Sequence, residues 1–299
     1  MKKNFLFLST LCLLLSGFTQ TQAQTPNSPP PVLVIEREDI KPGKMETHTR
    51  EARAYVEVMH KANARVSNGM QEGRIAMIPV AGNQNEVMYV RAYMSFKEME
   101  SKQKENDKLA TGVLKADFDN LNDGELHASQ RTIIASFRPD YSYNPGKTDI
   151  RQARYMAVTT TRIKPGHADE YWRGVREIIN TARTKAQFPG SFAVYQVRAG
   201  TLDGIYLIFR LMKSMDELDF SLNAVREAMG KDGREDMDKI SDRSVMFSET
   251  SYYAINPGLS IVGPDFIAAD PAFWNQKPPA PTTITARRKQ TTPRRIGMP

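Results

Sequence analysis

The chain of 299 residues contains 41 lysine and arginine residues against 34 aspartate and glutamate residues, which gives a formal net charge of +7. Most of the excess lies at the two ends, and residues 24–263 are nearly neutral, so the sequence predicts no surface for nucleic acid. The single cysteine, Cys12, lies in an apolar N-terminal segment, which excludes disulfides, thiolate catalysis and cysteine metal sites from the mature chain.

Residues 1–23 have the three parts of a secretory signal peptide. Lys2 and Lys3 form the basic region, an apolar stretch follows, and Thr21-Gln22-Ala23 ends in a small residue suited to cleavage. The apolar stretch is shorter than the roughly 20 residues that span a bilayer, and an uncleaved anchor is the alternative. We therefore predict a periplasmic or secreted protein with no membrane span, in which a Pro-rich linker follows over residues 24–31.

The remaining sequence contains the same order of motifs twice. Ile40-Lys41-Pro42-Gly43 recurs as Ile163-Lys164-Pro165-Gly166, and Asn144-Pro145-Gly146 recurs as Asn256-Pro257-Gly258. A repeat of more than 100 residues is a whole domain and not a solenoid unit. We predict a first domain over residues 32–146 and a second over residues 147–263.

In chain order, each repeat predicts a strand, a helix, two strands, a polar helical stretch and a last strand. The apolar positions of the first helix recur at steps of three and four, as a helix that packs on a sheet requires. They are Met45, His48, Ala52, Tyr55, Met59, Ala62 and Val66, and the second repeat matches them with Ala168, Tyr171, Val175, Ile178 and Ala182.

The order β-α-β-β-α-β is that of a ferredoxin-like domain, whose helices cover one face of an antiparallel sheet. The other face needs a cover, and two tandem copies can provide it for each other. The sequence therefore predicts an α+β fold in which two tandem ferredoxin-like domains form a pseudo-dimeric α/β barrel within one chain.

These features resemble the dimeric α/β-barrel superfamily over residues 32–256. The resemblance rests on the Ile-Lys-Pro-Gly turn into a helix with His48 and Tyr55, and on a third strand rich in tyrosine and methionine. It is closest to the NIPSNAP-like and antibiotic-biosynthesis-monooxygenase-like branches, in a fused form. The superfamily includes cofactor-free monooxygenases, haem-degrading enzymes, haem peroxidases and small-ligand binders, so the resemblance implies a fold and leaves the activity open.

The third strand of each repeat alternates between two sets of side chains. One set is apolar, and the other combines tyrosines with an arginine that occupies the same place in both repeats, Arg91 and Arg210. We predict that the second set faces the barrel interior and binds a ligand through Tyr89, Arg91, Tyr93, Tyr206 and Arg210. The alternative is an internal ion pair of the arginine with Glu36 or Glu38, or a place at the barrel rim. Arg131 and Arg243 are matched in the same way on the last strand.

His48 is the predicted catalytic residue, as a general base or a haem ligand, because it lies on the sheet-facing stripe where the second repeat has Tyr171. The alternative is a half-buried histidine with a hydrogen bond at a helix start. His60 and His127 fall in polar surroundings and are predicted to be solvated. The four histidines show no metal-ligand spacing, so no metal is predicted. No cofactor is predicted either, with haem as the alternative.

These observations predict an exported protein that binds a small molecule in a cavity between its repeats. A monooxygenase-like or haem-dependent oxidoreductase is the alternative, and a structural or partner-binding envelope protein is a third; whether the protein is an enzyme stays open. Residues 264–299 are basic and rich in proline, and are predicted to be disordered and to offer contacts to an anionic envelope surface.

Overall fold

The computed structural model describes residues 28–65, 73–112, 114–119, 121, 124–220 and 222–275. The predicted signal peptide lies outside the described residues, as does the end of the predicted tail from residue 276. Eight antiparallel strands form one closed barrel. They are β1 (Val32–Ile40), β2 (Arg74–Ala81), β3 (Glu86–Tyr93), β4 (His127–Phe137), β5 (Tyr155–Ile163), β6 (Ala193–Ala199), β7 (Ile205–Met212) and β8 (Val245–Ile261).

The order of strands around the barrel is β1-β3-β2-β8-β5-β7-β6-β4. Each repeat thus contributes four neighbouring strands in the same internal order, with its first strand between its third and its last. The repeats join at two seams, where β2 pairs with β8 and β4 pairs with β6. The predicted α+β fold, two ferredoxin-like units that close one barrel within a chain, is confirmed.

Helices cover the outside of the barrel because one side of each is apolar. In α1, His48, Ala52, Val56 and Met59 are all buried, and Ala52 packs with β2 and β3 residues. No helix of the described part of the chain is long and apolar enough to cross a membrane. The helices are α1 (Met45–Arg65), α2 (Phe96–Thr111), α3 (Lys115–Asp119), α4 (Ala168–Gly174), α5 (Thr181–Lys185), α6 (Leu222–Ser244), α7 (Pro264–Ala269) and α8 (Pro271–Trp274), with a π-helical turn over Val175–Asn180 between α4 and α5.

The start of the predicted disordered tail is folded. Residues 264–274 form α7 and α8, and Trp274 is buried in the cluster that fills the barrel. The indole Nε1 donates to the carbonyl of Arg151 (2.7 Å), and Asp270 forms an ion pair with Arg154. The sequence did not predict these helices, because the segment is rich in proline and charge and two helices this short show no repeating apolar pattern. The two helices close one end of the barrel.

The barrel interior is lined by the side chains that were predicted to face the helices. Met88 of β3 and Leu207 and Phe209 of β7 belong to the interior cluster, together with Ile35 and Ile133. Tyr89 and Tyr206 pack outside against the helical layer. The predicted division of each third strand into two sets of side chains is confirmed. The prediction of which set faces the barrel interior was wrong, because both sets are buried and apolar character does not distinguish them.

The predicted match of Arg131 with Arg243 is also wrong. Arg243 lies in α6 and forms an ion pair with Glu170, whereas Arg131 lies in β4 and pairs across the sheet with Arg37. The equivalent of Arg131 in the second repeat is Glu249 of β8, which faces Thr160 of β5. β8 is longer than predicted and runs through Asn256-Pro257-Gly258.

Candidate functional site

A cavity of about 260 Å³ opens at the barrel end opposite α7 and α8. Its deep part is apolar, and the loops that join β2 to β3 and β6 to β7 surround its mouth. Leu202 and Phe247 line it while they remain 58% and 42% exposed, so part of its apolar surface is open to solvent. The deep residues are Ile35, Met88, Ile133, Val158, Ile205, Leu207 and Tyr253.

The polar residues of this cavity form a linked group. Arg37 donates to Glu86 Oε2 through Nη2 (2.6 Å) and Nε (3.2 Å), and the Tyr253 hydroxyl donates to Glu86 Oε1 (2.6 Å). Burial opposes the charge on Arg37, but the hydrogen bond and charge of Glu86 outweigh it, so the pKa of the guanidinium is raised. Burial, and then the contact with Glu86, raise the pKa of Tyr253. Arg131 and Glu249 are exposed residues that also line the cavity.

The first-repeat residues that were predicted to bind a ligand lie outside this cavity. Tyr89 packs in the cluster below α1, and its ring lies under the guanidinium of Arg74 (4.0 Å from Cζ to the ring centroid). Arg91 forms an ion pair with Glu36, which is the alternative considered from the sequence. Tyr93 packs with Val32 and Val34 on the outer face. The ligand role of these residues stays a prediction, which their described surroundings do not support.

Tyr206 and Arg210 lie in the corresponding helical layer of the second repeat. The Tyr206 ring meets Trp172 edge to face (5.0 Å between centroids), and burial raises the pKa of its phenol. Arg210 is 7% exposed and donates to the carbonyl of Glu217 (2.8 Å). Burial lowers its pKa, an effect that the charge of Glu217 partly opposes. Burial also lowers the pKa of the nearby Arg183 to about 10. The five predicted ligand-binding residues are therefore not brought together.

His48 is not at the cavity but within a buried polar cluster beneath α1. Its Nε2 donates to Glu38 Oε2 (2.9 Å), and its side chain is 1% exposed. His127, predicted to be solvated, lies beside it: its Nε2 is 3.5 Å from the same carboxylate oxygen, and its side chain is 9% exposed. The two imidazole rings are 5.4 Å apart. Residues 38, 48 and 127 are too far apart in sequence for spacing to reveal the cluster.

The donor set around His48 does not fit haem. The Nε2 atom of His48 is hydrogen-bonded to the carboxylate of Glu38, and the ring is enclosed between α1 and the sheet. The barrel cavity lies on the other side of that sheet. No histidine lines that cavity among the described residues. The role of His48 as a base or haem ligand stays a prediction, and these contacts do not support it for a ligand inside the barrel.

The fold and the cavity together define a fused α/β barrel of two ferredoxin-like units, with one closed end and one open, partly apolar end. No protein-family model matches the chain, and no curated protein sequence matches it.

Several solved structures resemble the chain at low sequence identity. An anthrone oxidase-like protein is 12% identical, with a TM-score of 0.47, and the match covers 76% of this chain and 91% of that one. A chlorite dismutase from Candidatus Nitrospira defluvii is 10% identical, with a TM-score of 0.42 and coverage of 76% and 91%. A NIPSNAP family protein from Agrobacterium tumefaciens is 18% identical, with a TM-score of 0.28 and coverage of 36% and 87%. The assignment of the fold rests on the strand order of this chain itself.

Proposed function

We propose that the protein binds a small amphiphilic molecule in the open end of its barrel. The observation that carries this proposal is a partly apolar cavity of about 260 Å³ whose exposed apolar side chains and charged residues lie at the same mouth. Ligand sites are typically concave and mostly apolar, with a few polar groups that fix the orientation of the ligand.

The charges of the mouth favour a ligand with an anionic head group. Arg37 is neutralised by Glu86, whereas the guanidinium of Arg131 is exposed directly across the sheet from Arg37. A guanidinium at the edge of an apolar cavity can hold a carboxylate or sulfonate while the body of the molecule lies on Ile133 and Leu207. Glu249 lies at the equivalent place of the second repeat, and its negative charge disfavours an anionic head group on that side of the mouth.

An anionic aromatic probe tests this proposal. We expect anilinonaphthalene sulfonate to bind with one equivalent per chain, Thr160→Trp to abolish this binding, and Arg131→Gln to weaken it about tenfold. Thr160 lines the cavity, whereas its neighbour Thr159 is hydrogen-bonded to Thr250 outside it, so Thr159→Trp is the matched control and should leave binding unchanged. Equal binding by both tryptophan variants, with unchanged circular dichroism, would show that the probe does not enter the barrel.

We also propose that the protein is exported, on the basis of the sequence of residues 1–23. The expected result is a periplasmic or secreted product that begins near Gln24, as measured by fractionation and N-terminal sequencing. A full-length product retained in the cytoplasmic fraction would contradict this.

A further inference from the structure

Three donor groups from three separate elements meet beneath the start of α1. Glu38 lies near the end of β1, His48 in the first turn of α1, and His127 at the start of β4. Their ligating atoms lie within 4.8 Å of one another, and the three side chains are 8%, 1% and 9% exposed. None of these residues lines the barrel cavity, so the proposed ligand does not account for the cluster.

The two distances from the Glu38 carboxylate to the histidines are close to those of a metal site. A tetrahedral ion with ligands at 2.0–2.1 Å holds them about 3.3 Å apart. Glu38 Oε2 is 2.9 Å from His48 Nε2 and 3.5 Å from His127 Nε2. The donor atoms of the two histidines lie within 4.8 Å of each other, so the imidazoles would have to approach by up to about 1.5 Å to hold an ion together with Glu38. The His48 proton would shift from Nε2 to Nδ1, and Nδ1 has no hydrogen-bond partner among the described residues.

His127 provides a second observation that points to an ion. Its Nε2 is buried and directed at Glu38, yet it makes no hydrogen bond with the described part of the chain. A buried polar atom without a partner costs about 1–3 kcal/mol, and a bound cation would supply the missing contact. Gln130 donates to the other oxygen of Glu38 (3.2 Å) and is itself an exposed residue, so the cluster lies close to the surface on this side.

The second repeat shows what the same place looks like without such a cluster. Strand register and the repeated Ile-Lys-Pro-Gly motif put Thr161, Tyr171 and Val245 at the places of Glu38, His48 and His127. Thr161 there forms a hydroxyl hydrogen bond with Ser248 (2.9 Å), which takes the place of the contact between Glu38 and Gln130. The fold therefore does not require a carboxylate and two imidazoles at this point.

We propose that Glu38, His48 and His127 bind one divalent transition-metal ion. Two imidazoles and a carboxylate suit Zn²⁺ and its neighbours Co²⁺ and Fe²⁺, and such a set leaves at least one coordination position for water or another ligand. Gln130 orients the carboxylate through its free oxygen, as outer-shell partners do in metal sites.

Calorimetric titration with Zn²⁺ tests the proposal, with the chain produced without a histidine tag and stripped with a chelator. We expect one saturable equivalent per chain, at least 100-fold weaker binding in His127→Ala and in His48→Gln, and about tenfold weaker binding in Gln130→Ala. The visible spectrum of the Co²⁺ complex should show the intense bands of a low-coordinate site and lose them in His127→Ala. Zn²⁺ should also raise the melting temperature of the wild-type chain but not that of His127→Ala.

His167→Ala is the matched control, because His167 forms an exposed pair with Glu170 (3.3 Å) at the start of the equivalent helix. This variant should keep full Zn²⁺ binding. If His48→Gln does not fold, His127→Ala and Gln130→Ala, which lie nearer to solvent, decide the question. The absence of saturable binding in the folded wild-type chain, or unchanged binding in His127→Ala, would overturn the proposal.

Discussion

At the scale of single residues, the mouth of the barrel depends on Glu86, which is 4% exposed and accepts hydrogen bonds from two side chains. A carboxylate in this position is stable only while its partners remain, because an unpaired buried charge is costly. Arg37 supplies the compensating charge and Tyr253 the second hydrogen bond. The three residues act as a unit.

The coupling of this unit can be measured with a double-mutant cycle. Tyr253→Phe should lower the free energy of unfolding by about 1–3 kcal/mol, because it leaves one oxygen of Glu86 without its donor. In the background of Glu86→Gln the same change should cost clearly less, since the buried charge is already gone. Urea unfolding of the four chains gives the coupling energy, and additive losses would show that the hydroxyl and the carboxylate are independent.

Tyr195 predicts how stability depends on alkaline pH. Its ring belongs to the barrel core, its hydroxyl donates to the carbonyl of Pro30 (3.0 Å), and burial raises its pKa. A pKa that is raised in the folded state contributes stability that is complete below the unfolded value of about 10 and is lost as the pH rises above it.

Above about pH 10 the free energy of unfolding of the wild-type chain should therefore fall more steeply than that of Tyr195→Phe, by up to about 1.4 kcal/mol per pH unit. The measurement is a set of urea titrations across this range. The comparison with the variant removes the contributions of other titrating groups. Parallel slopes for the two chains would contradict the assignment.

At the scale of elements, the seam between β4 and β6 brings two backbones into unusually close contact. Gly200 follows β6 with φ +92°, and a Cβ atom there would lie 1.9 Å from the carbonyl oxygen of Thr132. Only glycine fits, because both the backbone conformation and the space exclude a side chain. Gly43 has a similar φ of +76°, with nothing within 4 Å of its Cβ position.

These two glycines make a matched pair for testing the seam. Gly43→Ala should cost about 1 kcal/mol, which is the strain of a left-handed alanine alone. Gly200→Ala should cost at least about 3 kcal/mol, because the strands must also separate. Thermal and urea unfolding measure the loss of stability in both variants. Equal losses would show that the strands of the seam separate without a cost in free energy.

The order of the elements was predictable from the sequence, whereas the direction of their side chains and the contacts between distant elements were not. The repeated motifs and the β-α-β-β-α-β order were enough to predict the barrel, because they are local patterns. The inward face was not predictable from alternation, since Met88 and Tyr89 are equally buried on opposite sides of β3. The cluster of His48 with Glu38 and His127 depends on the pairing of β1 with β4, which no spacing in the sequence shows.

At the scale of the whole molecule, each repeat covers the apolar face of the other. The first repeat contributes Leu33, Ile35, Met77 and Met88 to a core shared with Val158, Leu207 and Tyr253 of the second repeat. A half on its own would leave this surface in water, at a cost of roughly 25 cal/mol for each Å² of apolar area.

Residues 28–146 expressed alone should consequently pair with a second copy or aggregate, whereas co-expression with residues 147–275 should give a one-to-one complex. Light scattering after gel filtration measures the mass of each species. A stable, folded monomer of the first half would contradict the dependence of its sheet on the second repeat.

The closure of one barrel end by Trp274 has a further consequence for exchange. If the cavity binds a ligand as proposed, the part of the chain that the structure describes leaves it one opening, so a second molecule cannot enter at the closed end and displace the first. One bound molecule would then have to leave before another could enter, and its dissociation would limit the rate of exchange. Under the proposed function, an excess of free ligand would leave the rate of release unchanged.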